Sequence, residues 1–375
     1  FLCFYKNFYY FCFMKYLLYP FALIFYIFQL LRKFLYSIKI CKRYNPTITT
    51  ICIGNLSMGG NGKTPHAIYT AKLLIDNGYN VAILLRGYKR KTHGFLEVNS
   101  DSTVIDVGDE ALIYKRNFGN TLSVAVCENR AKGIKILIEK YPHLDVILLD
   151  DAMQHLRVKP HLQLLLSDYS HPFYHDHLFP VGKLREPKSS YKKADAIIIT
   201  KFPSIFSPIL YDSVIQSFQI QPHQKLFISY IFYKNFIPVF DETLNNNFEN
   251  KTPYAIFVFT AIANTHGLDE YLLLMCKDLV RFYFADHHQF TEKDVMKLIK
   301  SFNDYPSSNK IIVTTEKDIP RLEHPSIKKF LLDLPIFYLP IDVRFHQNAH
   351  LKINYDKYIL DYVRQNQANN RISQK

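Results

Sequence analysis

The residues with the clearest chemical potential form a glycine-rich loop, Ser-Met-Gly-Gly-Asn-Gly-Lys-Thr, at positions 57–64. Such a loop lets backbone amides converge on phosphate groups, because glycine adopts turns that other residues avoid. Lys63 can reach the β- and γ-phosphates of a nucleotide, and the Thr64 hydroxyl can bind Mg²⁺. Ser57 replaces the first glycine of the pattern G-x-x-x-x-G-K-[ST]. The residues predicted to bind nucleotide are Ser57, Met58, Gly59, Gly60, Asn61, Gly62, Lys63 and Thr64.

Two carboxylates, Asp150 and Asp151, follow directly on the apolar run 146–149. In proteins with a phosphate-binding loop, an acid at the end of a strand holds Mg²⁺ directly or through water. An acidic turn after a strand is the ordinary alternative, but the nearby loop favours the metal site. Gln154 and His155 come within one further turn and could line the same cleft, although a structural role suits either equally well.

A parallel sheet is needed to position these groups, and the pattern of apolar runs predicts one. The candidate strands are Thr47–Ile53, Val81–Leu85, Leu122–Val126, Val146–Leu149, Leu162–Leu166, Ala196–Thr200, Leu226–Tyr233, Ala255–Phe259, Val280–Phe284, Ile311–Thr314 and Ile336–Leu339. Helical stretches such as Pro65–Asp76 and Arg130–Lys140 lie between several of them. Continuous apolar strands that alternate with helices are typical of a parallel sheet covered on both faces. We therefore expect an α/β fold with a P-loop NTPase-like parallel sheet.

The length of 375 residues is too great for one ordinary core. We divide the chain into an apolar membrane-associated segment at 1–45, a P-loop kinase domain at 46–220, and a second, smaller α/β domain at 221–375. The tail after Arg364 is polar, so we expect it to fray.

Residues 1–31 are dominated by Phe, Tyr, Leu and Ile, most strongly from Tyr16 to Leu31, and basic residues follow at once. Such a segment predicts a membrane helix that keeps the following chain on the cytoplasmic side and attracts anionic head groups. Counted from Tyr16 the run is short for a full span, so crossing the bilayer and lying in its interface both stay open. Met14 is a suitable initiator methionine, so residues 1–13 can be interpreted as an upstream extension rather than native protein.

Composition narrows the class of protein without identifying it. The chain is 48% hydrophobic and 21% charged, which indicates a globular protein rather than a disordered one. A formal net charge of +13 suits an anionic partner, which can be nucleic acid, an acidic membrane or a phosphorylated substrate. The six Cys are scattered, and we interpret them as reduced thiols rather than disulfides or zinc ligands.

Several unrelated short motifs occur together along residues 14–320. They are Met14–Leu23, Gly54-Asn55 with the loop as far as Pro65, Arg86-Gly87-Tyr88, Gly108-Asp109-Glu110, Asn129-Arg130, Asp150-Asp151 with Gln154-His155, Leu184-Arg185-Glu186-Pro187, Asp286-His287 and Thr315-Glu316-Lys317-Asp318. In this order they resemble the tetraacyldisaccharide 4'-kinase family, the lipid A kinases. Ser57 agrees with the hydroxyl residue usual there, whereas Met153 and Asn129 depart from the family pattern.

The resemblance implies a reaction and a setting. The γ-phosphate of ATP would pass, with Mg²⁺ as cofactor, to the 4'-hydroxyl of an acylated glucosamine disaccharide 1-phosphate. This lipid A precursor would present its sugar at the cytoplasmic face of the inner membrane, which accounts for the apolar N-terminus and the basic charge together. We expect a monomer whose partners are the lipid substrate and the anionic leaflet, without nucleic acid.

The resemblance also implies roles for single residues. Asp109 is the candidate general base, oriented by His287, because a carboxylate can accept the proton of an alcohol during transfer. Glu186 is a third carboxylate that is a candidate Mg²⁺ ligand, beside Thr64, Asp150 and Asp151, with Arg185 as an alternative ion-pair partner for it. Arg130 is expected either to contact the substrate phosphate or to cap a local acid.

Lys317 either meets the nucleotide or supports the second domain, and we favour support. The competing hypothesis for the whole protein is a membrane-tethered NTPase switch that hydrolyses nucleotide to regulate a partner. A GTPase of that kind would favour an N-K-x-D element, and the sequence has none. An inactive interaction protein is disfavoured by the joint presence of the loop lysine and the carboxylates.

Overall fold

A computed structural model of the chain describes residues 2–240, 253–286, 288–347 and 353–373, with side chains from Tyr16 to Asn369. The strands are β1 (Thr49–Asn55), β2 (Val81–Leu85), β3 (Leu96–Glu97), β4 (Ser123–Val126), β5 (Val146–Asp150), β6 (Leu162–Asp168), β7 (Ala196–Thr200), β8 (Lys225–Tyr233), β9 (Ile237–Pro238), β10 (Ala255–Thr260), β11 (Asp278–Tyr283), β12 (Lys310–Thr315), β13 (Ile336–Leu339) and β14 (Ile341–Phe345).

The helices of the described residues are α1 (Leu2–Ser37), α2 (Lys63–Asp76), α3 (Val104–Val107), α4 (Asp109–Phe118), α5 (Arg130–Lys140), α6 (Pro208–Phe218), α7 (His266–Leu273), α8 (Glu292–Asp304), α9 (Ile319–Leu322), α10 (Pro325–Lys328) and α11 (Tyr355–Ser373). Two short 3₁₀ helices, Phe173–His175 and Lys188–Lys193, are also present.

Nine strands form the larger sheet, in the order β14-β8-β7-β6-β1-β5-β2-β4-β3. All neighbours pair in parallel except the two edge strands, β3 and β14, which are antiparallel. Every residue of β1, β2, β5 and β7 is buried, as expected for a parallel sheet covered by helices on both faces. The predicted α/β class is therefore confirmed.

Five strands form the smaller sheet, in the order β11-β10-β12-β13-β9, with β9 antiparallel to β13. This sheet lies between β8 and β14 in the sequence, and both of those strands belong to the larger sheet. The five-stranded sheet and the helices between its strands thus form a smaller, inserted unit, and the nine-stranded sheet with its helices forms the larger unit. Two segments connect the units, and Lys234 N–H in the first donates to Pro340 O in the second at 2.9 Å. The predicted boundary at 220–221 does not follow this arrangement, because β8 pairs with β7.

The chain after Arg364 differs from the expected frayed tail. Helix α11 continues to Ser373, and its residues Tyr355, Ile359 and Val363 are buried against the larger sheet. Further along, Asn366 Nδ2 donates to Thr49 Oγ1 at 2.9 Å. The polar composition after Arg364 suggested fraying, but this segment continues a helix whose apolar residues before Arg364 recur at helical spacing on one face.

Helix α1 exposes most of its apolar side chains, and of those described between Tyr16 and Ser37 only Ala22 and Gln29 are buried. From Tyr16 to Ser37 the helix is long and apolar enough to cross a membrane. Signal sequences and core helices of soluble proteins share that length and composition, so membrane association stays a proposal.

Candidate active site

The glycine-rich loop connects β1, at the centre of the larger sheet, to the first turn of α2. Gly59 and Gly62 have φ angles of 118° and 80°, which L side chains rarely adopt. A neighbouring segment braces the loop, since Met58 N–H donates to Lys183 O at 2.7 Å. His66 supports it from within the helix, with Nδ1 2.6 Å from Gly62 O. The loop leads directly into the start of α2, and the positive end of that helix favours an anion there.

Lys63 is the first residue of α2, and its Nζ lies 3.9 Å from Asp151 Oδ2. Asp151 has a left-handed φ of 48°, and Arg185 binds its carboxylate in a bidentate manner at 2.7 and 2.8 Å. Burial raises the pKa of Asp151, but Lys63 and Arg185 outweigh that effect and hold the pKa below its ordinary value. Asp151 is therefore an ionised group with its charge already balanced.

Asp150 ends β5 and is fully buried beside the loop. The Tyr114 hydroxyl donates to its Oδ2 at 2.7 Å, while Oδ1 has no hydrogen-bond partner among the described residues. Burial, helped by the charge of Glu110, raises the pKa of Asp150 to about 7. A carboxylate oxygen left without a partner beside a phosphate loop fits a divalent cation, which would supply the missing contact.

Thr64 lies next to Lys63 at the helix start and lines the same cleft as Asp150. The described part of the chain holds no group of three or more His, Cys, Asp or Glu side chains arranged for a metal. Mg²⁺ does not require one, because it is usually held by one or two carboxylates together with substrate phosphates and water. Thr64 and Asp150 therefore fit Mg²⁺ as a pair.

Glu186 does not join this group. Its Oε2 lies 2.9 Å from Lys33 Nζ of α1, and it is absent from the residues that line the cleft. Arg185, which was the expected alternative partner of Glu186, binds Asp151 instead. Arg185 and Glu186 therefore contact different partners, and the ion pair of Glu186 with Lys33 links helix α1 to the larger unit.

Asp109 is the first residue of α4 and is buried. It follows Gly108, whose φ of 87° leaves no room for a side chain because a Cβ would lie 2.9 Å from Tyr88 O. Its Oδ2 accepts a hydrogen bond from Arg321 Nη2 of the smaller unit at 2.5 Å. The expected partner of Asp109, His287, lies outside the described residues.

The neighbours of His287 do reach the site. Asp286 lines the cleft and forms an ion pair with Lys317 Nζ at 3.0 Å. Lys317 also lines the cleft, and its charge opposes the effect of burial, which raises the pKa of Glu110. The structure therefore places Lys317 on the cleft side of the smaller unit rather than in its interior.

Arg130, Gln154 and His155 all line the cleft. Arg130 donates to two carbonyl oxygens, Cys127 O at 2.7 Å and Asp150 O at 3.3 Å, and pairs with no described carboxylate. Gln154 Nε2 donates to Asn55 O at 2.8 Å, which attaches it to the end of β1. The structure therefore does not show Arg130 capping a local acid, which was the alternative to its contact with the substrate phosphate.

One cleft of about 2010 Å³ contains these groups apart from Asp109 and Glu186, which do not line it, and residues of both units and of α1 line it. It opens at the carboxyl ends of the parallel strands, where ligands bind in open α/β sheets.

Comparison with known proteins decides which family this arrangement represents. The sequence model of the tetraacyldisaccharide-1-P 4'-kinase family matches residues 14–359. The chain belongs to the tetraacyldisaccharide 4'-kinase family. It is 39% identical over 337 residues to the tetraacyldisaccharide 4'-kinase of Bacteroides thetaiotaomicron, covering 88% of each chain. It is 35% identical to that of Flavobacterium psychrophilum, covering 95% of this chain and 99% of the relative.

A crystal structure of LpxK from Aquifex aeolicus, in complex with ATP, superimposes with a TM-score of 0.66 at 25% identity. The match covers 93% of this chain and 99% of the other. Membership of the tetraacyldisaccharide 4'-kinase family confirms the predicted P-loop kinase fold, the enzyme class, a kinase function in lipid A biosynthesis and the use of ATP. The NTPase switch is correspondingly disfavoured.

Two residues of this kinase site were not found from the sequence. Tyr114 lies in the middle of α4 and donates to Asp150. In the sequence it occupies a position that is typical of the apolar face of a helix. Arg321 follows the Thr-Glu-Lys-Asp motif by three residues, so the motif indicated this region of the chain but not the arginine itself. Both reach their partners across long stretches of chain, which no spacing rule captures.

Proposed function

We propose that the chain transfers the γ-phosphate of ATP to the 4'-hydroxyl of a tetraacyldisaccharide 1-phosphate at the cytoplasmic face of the inner membrane. The observation that carries this proposal is a cleft lined by the phosphate-binding loop, by residues of the inserted unit and by Arg32 near the end of an exposed apolar helix. The buried Asp109 lies directly beside the lining residue Glu110 and is held by Arg321 of the inserted unit. A kinase needs the loop, an alcohol acceptor needs a base, and a lipid acceptor needs access from the bilayer.

The loop binds the ATP phosphates with residues 57–64, and Lys63 stabilises charge that develops on the transferred group. Thr64 and Asp150 would hold Mg²⁺, which would neutralise negative charge on the ATP phosphates when bound. Asp151 takes a supporting role in this proposal, because Arg185 and Lys63 already balance its charge. It keeps the lysine and the arginine beside the phosphates at fixed positions.

Asp109 accepts the proton of the 4'-hydroxyl, with His287 orienting it. A base for an alcohol must lie within hydrogen-bond reach of the proton in the bound complex. Asp109 is fixed at the start of α4 on one side and by Arg321 of the inserted unit on the other. Movement of the inserted unit about its two connections, at Lys234 and Pro340, would bring the acceptor and this carboxylate together.

Helix α1 anchors the enzyme to the membrane and directs the acceptor to the cleft. Its exposed apolar side chains run from Tyr16 to Phe34. Arg32, near its end, lines the cleft and donates to Gln154 O at 2.6 Å. A lipid whose acyl chains stay in the bilayer beside α1 can therefore place its sugar at the phosphate loop.

The direct test incubates the full-length protein with radiolabelled ATP, Mg²⁺ and the disaccharide lipid in detergent micelles, followed by lipid extraction. We expect label in the lipid, lost by at least about 100-fold in Lys63→Ala because the lysine meets transition-state charge. Lys300→Ala, an exposed lysine of α8, is the matched control and should keep full activity. Release of free phosphate alone would support the NTPase switch instead.

A further inference from the structure

Tyr114 is a buried phenol whose hydroxyl contacts both of the side chains that fit Mg²⁺. It lies in α4, is fully buried, and donates from its Oη to Asp150 Oδ2 at 2.7 Å. Burial first, and then the charge of Asp150, raise the pKa of Tyr114 well above its ordinary value, against a hydrogen bond that Thr64 donates to the phenol. A chain of hydrogen bonds therefore runs from the Thr64 hydroxyl through Tyr114 to the Asp150 carboxylate.

The direction of this chain suits a cation that binds at both of its ends. A threonine hydroxyl that binds a cation through its oxygen must direct its proton elsewhere, and the Tyr114 oxygen can accept it. At the other end Tyr114 engages Oδ2 of Asp150, while the buried Oδ1 has no hydrogen-bond partner among the described residues. The lone pairs of Thr64 and Asp150 Oδ1 therefore stay available for one metal ion.

The absence of charge on the phenol distinguishes the environment of Asp150 from that of its neighbour. Asp151 is held by two cations, with Lys63 at 3.9 Å and Arg185 at 2.7 Å. Asp150 instead accepts its hydrogen bond from a neutral hydroxyl. A cationic donor would compete with Mg²⁺ for the carboxylate, whereas a phenol fixes the orientation of the carboxylate and leaves its charge to the metal.

The surroundings of Tyr114 hold its hydroxyl at a fixed position. The ring belongs to the apolar core that β1, β2 and β5 share, and α4 packs against α2, which carries Thr64. Near its end, α4 is also tied to the inserted unit, because Arg116 donates to Glu323 at 2.7 Å. A side chain confined in this way can set the position of the groups that it contacts.

We propose that Tyr114 is a positioning residue for the metal of this kinase, which accepts the hydrogen bond of Thr64 and holds Asp150 Oδ2 so that both side chains turn their free lone pairs to Mg²⁺. The inference rests on the proposed function, since it requires Thr64 and Asp150 to hold that ion. Removal of such an outer partner typically weakens metal binding by about 10–100-fold.

The test measures binding of AMP-PNP, an ATP analogue that cannot be hydrolysed, to the full-length protein in detergent micelles without a lipid acceptor. Each protein is titrated by calorimetry once with Mg²⁺ and once with excess EDTA, and the ratio of the two dissociation constants is the gain from the metal. We expect the wild type to bind more tightly with Mg²⁺, and Tyr114→Phe to lower this gain by about 10-fold. The dissociation constant in EDTA should stay within about twofold, because the phosphate loop is unchanged.

Tyr355→Phe is the matched control. Tyr355 is likewise fully buried, and its Oη lies 2.7 Å from the Oγ1 of Thr70, which belongs to the same helix as Thr64. The variant removes an equivalent hydroxyl from a site remote from the metal ligands, so the gain from Mg²⁺ should stay within about twofold of the wild type. An equal loss of the gain in Tyr355→Phe would overturn the proposal.

A double-variant cycle tests whether Tyr114 acts through the ligands. Thr64→Val removes the threonine hydroxyl and should lower the gain from Mg²⁺ by itself. Addition of Tyr114→Phe to Thr64→Val should then lower the gain by less than about 3-fold more, because only one of the two ligands is left for the phenol to position. Fully multiplied losses would show that Tyr114 acts independently of Thr64 and would overturn the assigned role.

The EDTA titration separates positioning from a purely structural role. Loss of AMP-PNP binding by the same factor with Mg²⁺ and with EDTA, as in a variant that fails to fold, would assign Tyr114 to the fold alone and overturn the proposal. An unchanged gain in Tyr114→Phe, beside a clear gain in the wild type, would remove this inference and leave the proposed function intact. If the wild type itself gains nothing from Mg²⁺, the magnesium part of the proposed function fails together with it.

Discussion

Arg321 in the inserted unit donates a hydrogen bond from Nη2 to Asp109 Oδ2 in the larger unit at 2.5 Å. The same guanidinium binds Asp318 Oδ1 at 2.8 Å, and both Arg321 and Asp318 are fully buried. The Thr315 hydroxyl donates to Asp318 Oδ2 at 2.6 Å. The candidate base of the reaction is thus held by a polar network that belongs to the inserted unit. The position of that unit and the position of the Asp109 carboxylate are therefore linked.

Arg321→Met should destabilise the protein strongly. The variant leaves two buried carboxylates, Asp109 and Asp318, without their shared cation, which typically costs about 3–5 kcal/mol. The measurement is the free energy of unfolding in urea. Arg116→Met is the matched control, because Arg116 pairs with Glu323 across the same interface but both side chains are partly exposed. It should cost less than about 1 kcal/mol. Equal losses in the two variants would contradict the assigned role of the buried network.

The pair Asp109 and His287 should act as a unit if the histidine orients the base. Turnover is measured for Asp109→Ala, for His287→Ala and for the double variant, with labelled lipid as the readout. We expect the double variant to be about as slow as the slower single variant, because removing the second member of a catalytic pair costs little once the first is gone. Fully multiplied losses would mean that the two residues act independently.

Acidification should destabilise the protein through His66. Burial lowers the pKa of His66 to about 4, so the folded chain keeps it neutral while the unfolded chain takes up a proton below about pH 6.5. The unfolded state therefore binds more protons between about pH 6.5 and 4, and stability is full above this window and falls as the pH drops through it. The shift corresponds to a loss of roughly 3 kcal/mol.

His66→Gln should flatten this dependence between pH 7.5 and 5, as measured by urea unfolding at both values. His143→Gln is the control, since that histidine is exposed and its replacement should leave the slope unchanged. The variant at position 66 is also expected to bind ATP more weakly, because His66 Nδ1 supports the loop at Gly62 O. An unaltered slope in His66→Gln would show that another group governs the acid sensitivity.

The exposed face of α1 should carry the membrane attachment. Substitution of Leu17, Ile24 and Phe28 by Gln removes three side chains that are 60%, 65% and 59% exposed. We expect the variant to stay in solution when anionic vesicles are sedimented, with an unchanged thermal melt because these side chains pack on little else. Matched substitutions of Ile209 and Leu274, which are 81% and 87% exposed elsewhere, should leave vesicle binding intact.

Substitution is preferable here to deletion of residues 1–40. Deletion also removes Arg32 and Lys33, and Lys33 is the ion-pair partner of the buried Glu186. Truncation would therefore leave a buried carboxylate unpaired and confuse loss of the anchor with loss of stability. Vesicle binding by the substituted variant at the wild-type level would place the anchor outside the apolar face of α1.

The sequence alone determined those features that are encoded in contiguous residues. The phosphate loop, the strand 146–149 that ends in Asp150, and the helix Arg130–Lys140 were all predicted from local patterns of glycine, apolar and polar residues. The resemblance to the lipid A kinases came from several such local motifs in one order, and the comparisons confirmed it. Local patterns suffice because burial of a strand or helix face imposes its period directly on the sequence.

Only the tertiary structure decided which charged side chains meet. Arg185 binds Asp151 rather than its neighbour Glu186, and Arg321 reaches Asp109 across 212 positions of the chain. Polar side chains meet where the strand order and the insertion of the smaller sheet bring them, and this placement leaves no periodic signal in the sequence. The same is true of β8 and β14, which join the larger sheet because it offers them a pairing edge and a shared core.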